Sequence, residues 1–144
     1  MEDRELLELA AKAYWSDEID DVCSIEWSEI DQTIAYTHAD NQDHNGVDQT
    51  YLWNPLEDDG DAFRLAVKLG IGVRYEKNSP PELSLPRECG VAVTEDKRWF
   101  VEERRDPCAA TRRAIVRAAA ALAQQSTDSV DKTVDKPGEM GISS

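Results

Sequence analysis

Residues 53–71, Trp53-Asn54-Pro55-Leu56-Glu57-Asp58-Asp59-Gly60-Asp61-Ala62-Phe63-Arg64-Leu65-Ala66-Val67-Lys68-Leu69-Gly70-Ile71, constrain the fold more than any other stretch of this chain. Pro55 has no N–H to give a ladder, so a strand arriving at Trp53 must end there. Asp58 or Asp59 can then cap a helix, its carboxylate accepting from the orphan N–H groups of the first turn. Ala62, Leu65, Ala66 and Leu69 recur at helical spacing and form an apolar stripe, with Phe63 and Val67 beside it. Gly70 supplies the stop, because a glycine takes the left-handed conformation at no steric cost. Ile71, Val73 and Tyr75 follow at once on one face of a strand. Strand, helix and strand therefore succeed one another with no slack.

The flanking sequence extends this layout. Leu6, Leu7, Leu9, Ala10 and Ala13 predict a helix over 3–13, with Glu8 and Lys12 in the favourable i, i+4 order. Cys23, Ile25 and Trp27 alternate with Ser24, Glu26 and Ser28, the pattern of a short strand. Thr33, Ala35 and Thr37 alternate with Ile34, Tyr36 and His38, a second strand. Asn45-Gly46 is a hairpin signal, which makes 47–53 the return strand. Residues 77–90 read as loop. Val91–Thr94 and Trp99–Val101 predict a hairpin across Glu95-Asp96-Lys97-Arg98. Asp106 and Pro107 open a further helix as cap and first residue, running from Cys108 to about Gln125. Its inward face is Ala110, Ala114, Ile115, Ala118, Ala121 and Leu122. Beyond Gln125 the apolar periodicity ends, and 126–144 reads as a flexible tail. The expected fold is α+β, one domain over 1–125, with a small antiparallel-rich sheet sandwiched by helices in α-β-α layers.

The length of 144 residues suits a single domain. No apolar run reaches the ~18 residues of a membrane span, and the acidic start Met1-Glu2-Asp3-Arg4-Glu5 is unlike a secretory signal. A cytoplasmic protein with reduced thiols is expected, since Cys23, Cys89 and Cys108 are widely spaced and form no paired motif. The net charge of −14 is unevenly placed. Residues 1–62 carry eighteen acids against Arg4 and Lys12, whereas residues 63–144 carry twelve acids against fourteen bases. An acidic half repels phosphates and attracts a basic surface, so direct nucleic-acid binding is not expected.

Chemical motifs are sparse. Asn41, Asp43, Asn45 and Gly46 echo the start of a calcium loop, but the first place lacks Asp and the twelfth is Leu52, so a polar hairpin loop accounts for them. Asp58, Asp59 and Asp61 have a sufficient role at a helix start. His38 and His44 have no nucleophile in a recognisable arrangement. Cys108 stands at a helix start near Arg104, Arg105 and Arg112, without a base or a pocket in view. Arg98, Arg104, Arg105, Arg112, Arg113 and Arg117 lie near Trp99 and Phe100. Pairing with acids, inside the chain or across a homodimer interface, suits them better than nucleic acid does. No catalytic residue, metal ligand or cofactor is implied.

Three segments, Asp3–Ala13, Trp53–Ile71 and Asp106–Ala118, stand in an order that resembles the phage ABA-sandwich family, related in pattern to NinX-like phage proteins. The resemblance spans roughly residues 3–125. It implies a sheet sandwiched by helices and offers no catalytic residues to carry over. The acidic stretch 16–31 and the tail depart from the shared core. The expectation is a non-enzymatic phage accessory protein that binds a host or phage protein with a basic surface, such as a nucleic-acid-binding or defence complex, by charge mimicry. Its contact residues would be Trp15, Asp17, Glu18, Asp20, Asp21, Glu26, Trp27, Glu29 and Asp31, since Trp serves as an interface anchor. The alternatives are a small-molecule or nucleotide binder, or an enzyme, with a pocket near Arg74, Trp99 and Arg113, and a phage assembly factor.

Overall fold

The structure is a computed structural model that describes residues 1–16, 22–42, 48–78, 82, 85–103 and 106–143, with backbone alone at 22–23, 38–42, 48–49 and 126–143. The element order is α1 (Asp3–Tyr14), β1 (Val22–Ser28), β2 (Thr33–Gln42), β3 (Asp48–Trp53), α2 (Asp59–Leu69), β4 (Gly72–Glu76), β5 (Cys89–Val93), β6 (Trp99–Glu102) and α3 (Pro107–Ser143). The α+β class holds. The strands divide into two antiparallel sheets, β1-β2-β3 and β4-β5-β6. Their separation follows from the sequence at 54–71: Pro55 ends the first ladder, and a capped helix intervenes before the next strand begins.

In the first sheet Ile34 of β2 pairs with Trp27 on one side and Trp53 on the other, and Tyr36 likewise with Ile25 and Tyr51. Period-2 alternation puts these residues on one face, which α1 covers. The opposite face carries Ser24, Glu26, Ala35, Thr37 and Leu52. The buried Thr33 hydroxyl donates to the Trp53 carbonyl at 2.7 Å and pins β2 to β3 at their shared end. In the second sheet Val73, Ala92 and Phe100 are partners, as are Tyr75, Gly90 and Glu102, and this face meets α3. Gly90 is obligatory there, because a Cβ would stand 2.7 Å from Thr111 Cα. The alanines of α3, among them Ala110, Ala114, Ala118 and Ala119, are fully buried and let α3 approach both β5 and α1 closely. Leu6, Leu7, Ala10 and Ala11 of α1 join them in one core with Ile34, Leu65 and Val116.

The helix start at 58–61 matches its sequence signals. The Asp58 carboxylate accepts from the Asp61 N–H at 2.8 Å, which settles the cap on Asp58. Asp61 in turn accepts from the Asn54 N–H at 2.9 Å and from Arg64 at 2.6 Å, tying the strand exit to the first helical turn. Gly70 takes φ 66°, and the Ile71 N–H reaches the Ala66 carbonyl at 2.9 Å, a Schellman ending. α3 continues to Ser143, past the helix end predicted at Gln125. Apolar periodicity reports a buried face rather than the helical backbone itself, so its loss after Gln125 does not mark the helix end.

Candidate functional site

The acidic segment of the first half is placed in part. Asp17, Glu18, Asp20 and Asp21 lie outside the described residues. Glu26 is exposed on β1, and Glu29 and Asp31 are exposed in the β1–β2 turn. There the Ser28 hydroxyl donates to the Asp31 carboxylate at 2.9 Å. Trp27 is half-buried, with the Arg4 guanidinium 5.2 Å from its ring centre, and Arg4 also pairs with Glu8 and Glu29. Trp15 is not a surface anchor. It is 6 % exposed, edge-on to Tyr14 at 4.9 Å and 5.0 Å from both Trp53 and Tyr36. The end of α1 delivers it into the sheet face, where its apolar area is worth more than any contact outside.

Most arginines among the described residues pair with acids of the same chain. Arg64 pairs with Asp61, Arg74 with Glu76, Arg98 with Asp96 and Arg112 with Asp59. Arg113 bridges Asp3 of α1 and Glu102 of β6, and Arg117 also bonds Glu102. Arg74, Trp99 and Arg113, expected to line one pocket, do not come together: a cavity of about 380 Å³ beside the hairpin is lined by Arg113 with Phe100, Glu102 and Arg117, but by neither Arg74 nor Trp99. Arg74 lies 5.1 Å from the Trp99 ring centre on the far face of the second sheet, whereas Arg113 lies on the α3 face. Odd and even strand positions point to opposite faces, so these three groups cannot converge. In the neighbouring turn Thr94 donates to Asp96, and that bond, followed by the Arg98 guanidinium, holds the carboxyl below its usual range.

A different concavity is present. A cleft of about 560 Å³ runs between α2, β4 and the start of α3, lined chiefly by Phe63, Val67, Ile71, Val73, Cys108 and Ile115. Phe63 is 68 % and Val67 63 % exposed. Its polar members are largely engaged: Arg112 bonds Asp59 at 2.6 Å and the Leu56 carbonyl at 2.9 Å, and the Thr111 hydroxyl bonds the Pro107 carbonyl at 2.8 Å. The chemistry on offer is apolar contact, with the exposed Cys108 thiol at one end. The signal for this cleft was present in the sequence as the second stripe on the helix, Phe63 and Val67 four residues apart. Among the described residues no group of three or more His, Cys, Asp or Glu side chains could hold a metal ion, and no helix is long and apolar enough to cross a membrane. The calcium-like positions 43, 45 and 46 lie outside the described residues, and Leu52 belongs to β3.

Tyr36, beside the aromatic cluster, has its phenol raised from 10.0, first by burial and then by the Asp61 carboxylate. Its contribution to stability is present below pH 10.0 and is lost as pH rises through the higher folded value. Tyr36→Phe should therefore flatten the decline of the urea midpoint between about pH 9 and about pH 11. An unchanged decline would remove Tyr36 as its cause.

No family model, curated protein or solved structure matches the chain.

Proposed function

We propose that the protein is a non-enzymatic accessory protein, of the phage type its motifs resemble, that acts in the bacterial cytoplasm by binding a protein with a basic surface. The observation that carries this reading is the disposition of charge. Arg4, Arg64, Arg74, Arg98, Arg112, Arg113 and Arg117 each face an acid of the same chain. Glu2, Glu5, Glu26, Asp31 and Glu57 make no ion pair among the described residues, so the excess of acids is left outward. Such outward acids offer charge of the sign of a phosphate backbone to a nucleic-acid-binding partner, for example a host or defence complex. Surface pairs of this kind are individually weak and are screened within about 8 Å at physiological salt, so their sum governs. Capture of the partner from infected cells should accordingly fall by at least about tenfold between ~50 and ~300 mM salt. A partner retained unchanged at the higher salt would remove charge mimicry as the basis of binding.

The apolar cleft supports a second reading, a small-molecule binder or enzyme. A thermal-shift screen across nucleotides, metals and apolar ligands separates the two. A concentration-dependent rise in melting temperature favours the cleft, and a flat response favours the protein-binding reading.

A further inference from the structure

The strand β1 is an edge. It pairs with β2 from Val22 to Ser28, and among the described residues no strand lies on its other side. Alternate residues of such a strand turn their N–H and C=O groups away from the partner, which leaves them available to a further strand. Beside this edge a groove of about 390 Å³ separates β1 from α1, lined among others by Glu8, Leu9, Lys12, Ile25, Glu26 and Trp27. Ile25 is 40 % exposed, and it shares the α1 face of the sheet with Trp27. Glu26 stands on the opposite face between Ser24 and Ser28. A strand laid alongside would alternate in the same way. Its residues on one face would cover Ile25 and Trp27, and those on the other would meet Glu26. The surrounding charge is acidic in balance: Glu8, Glu26, Glu29 and Asp31 stand against Lys12 on the groove and Arg4, whose guanidinium lies over the Trp27 ring and pairs with Glu8 and Glu29.

We propose that β1 is the docking edge for an extended basic segment of the partner, alternating apolar residues with Lys or Arg, which joins the first sheet as a fourth strand. This rests on the basic-partner reading above and adds the mode of attachment. Charge complementarity identifies the occupant. A second copy is disfavoured, because two β1 strands paired about Glu26 would set like charges directly opposite. An edge on which acids outnumber bases disfavours its own kind and favours the opposite sign.

The test uses the full chain and a synthetic ten-residue peptide alternating Lys and Val. The control is the same peptide N-methylated at alternate residues, which keeps charge and composition but removes the ladder donors. The expected result is that the first peptide binds, slows amide hydrogen exchange at Ser24–Ser28 and loses affinity with salt, and that the methylated peptide binds at least about tenfold more weakly. Glu26→Lys, a change on the solvent face of the sheet, should weaken binding by about tenfold. Ser24→Lys should act in the same direction and serves if the first variant fails to fold. Equal salt-sensitive binding of both peptides, without protection of β1, would overturn strand addition and leave the basic-partner reading standing. Absence of binding by either peptide at low salt would also overturn strand addition, and capture from infected cells would then decide the broader reading separately.

Discussion

Gly90→Val is expected to lower the free energy of unfolding by about 3 kcal/mol, the upper part of the range for overpacking a close contact. The cause is specific. A Cβ at Gly90 would lie 2.7 Å from both Thr111 N and Cα and 2.8 Å from Ala110 C. All three are backbone atoms of α3, so no side chain can swing aside. Either α3 lifts from β5, opening the contacts of Ala110 and Ala114, or the strand bows out of the ladder it shares with β4 and β6. For a domain of this size the melting temperature should fall by roughly 10 °C. Gly72 provides the control. Its nearest neighbour to an added Cβ is the Val93 carbonyl oxygen at 3.8 Å, an ordinary contact, so Gly72→Ala should stay within about 0.5 kcal/mol of the parent. Urea unfolding followed by circular dichroism distinguishes them. Equal midpoints for Gly90→Val and the parent would mean that α3 does not press on β5 as described.

Much of this architecture was legible because its signals are local. The Asp58 cap, the Ala62–Leu69 stripe and the Gly70 stop each depend on neighbours within one or two turns, and each stands where the residues place it. The division into two sheets was not legible. The pairing of β2 with the return strand 48–53 and of β5 with β6 follows the turn signals between them, but no local signal says whether β4 continues the first sheet or begins a second. The arginine pairs were foreseen in kind, and their partners, such as Asp3 for Arg113 across 110 positions, were not. On the candidate surface the sequence gives the charge of 16–31, while the open edge of β1 and the groove beside it exist only once β2 has taken the other side. The expected lining of the pocket by the hairpin failed because of strand parity. Arg74 and Trp99 share one face of the second sheet, and Arg113 meets Glu102 on the other.

Trp15→Ala should be the second severe change, costing about 4 kcal/mol, within the range for truncating a large buried aromatic. Proximity to the acidic run suggests an exposed anchor, yet the indole is 6 % exposed and touches three rings from three other positions in the chain, Tyr14, Tyr36 and Trp53. Each aromatic pair adds about 0.5–1.5 kcal/mol beyond area burial, and the cavity left by alanine adds a further cost because Trp53 and Ile34 are held by the β2–β3 ladder and cannot collapse into it. The variant should lose most of the near-ultraviolet circular dichroism that coupled rings produce. Trp27→Ala is the informative comparison. That ring is only half-buried, and its cation contact with Arg4 at 5.2 Å is worth about 0.5–1 kcal/mol, so the loss of stability should be about 2 kcal/mol or less. The two variants thus divide stability from recognition. Under strand addition at β1, Trp27→Ala should weaken the basic peptide at little cost to the fold, whereas Trp15→Ala should destabilise the fold and, at temperatures where it remains folded, leave peptide affinity unchanged. The reverse pattern, a stable Trp15→Ala with lost binding, would return Trp15 to the surface and overturn its place in the core.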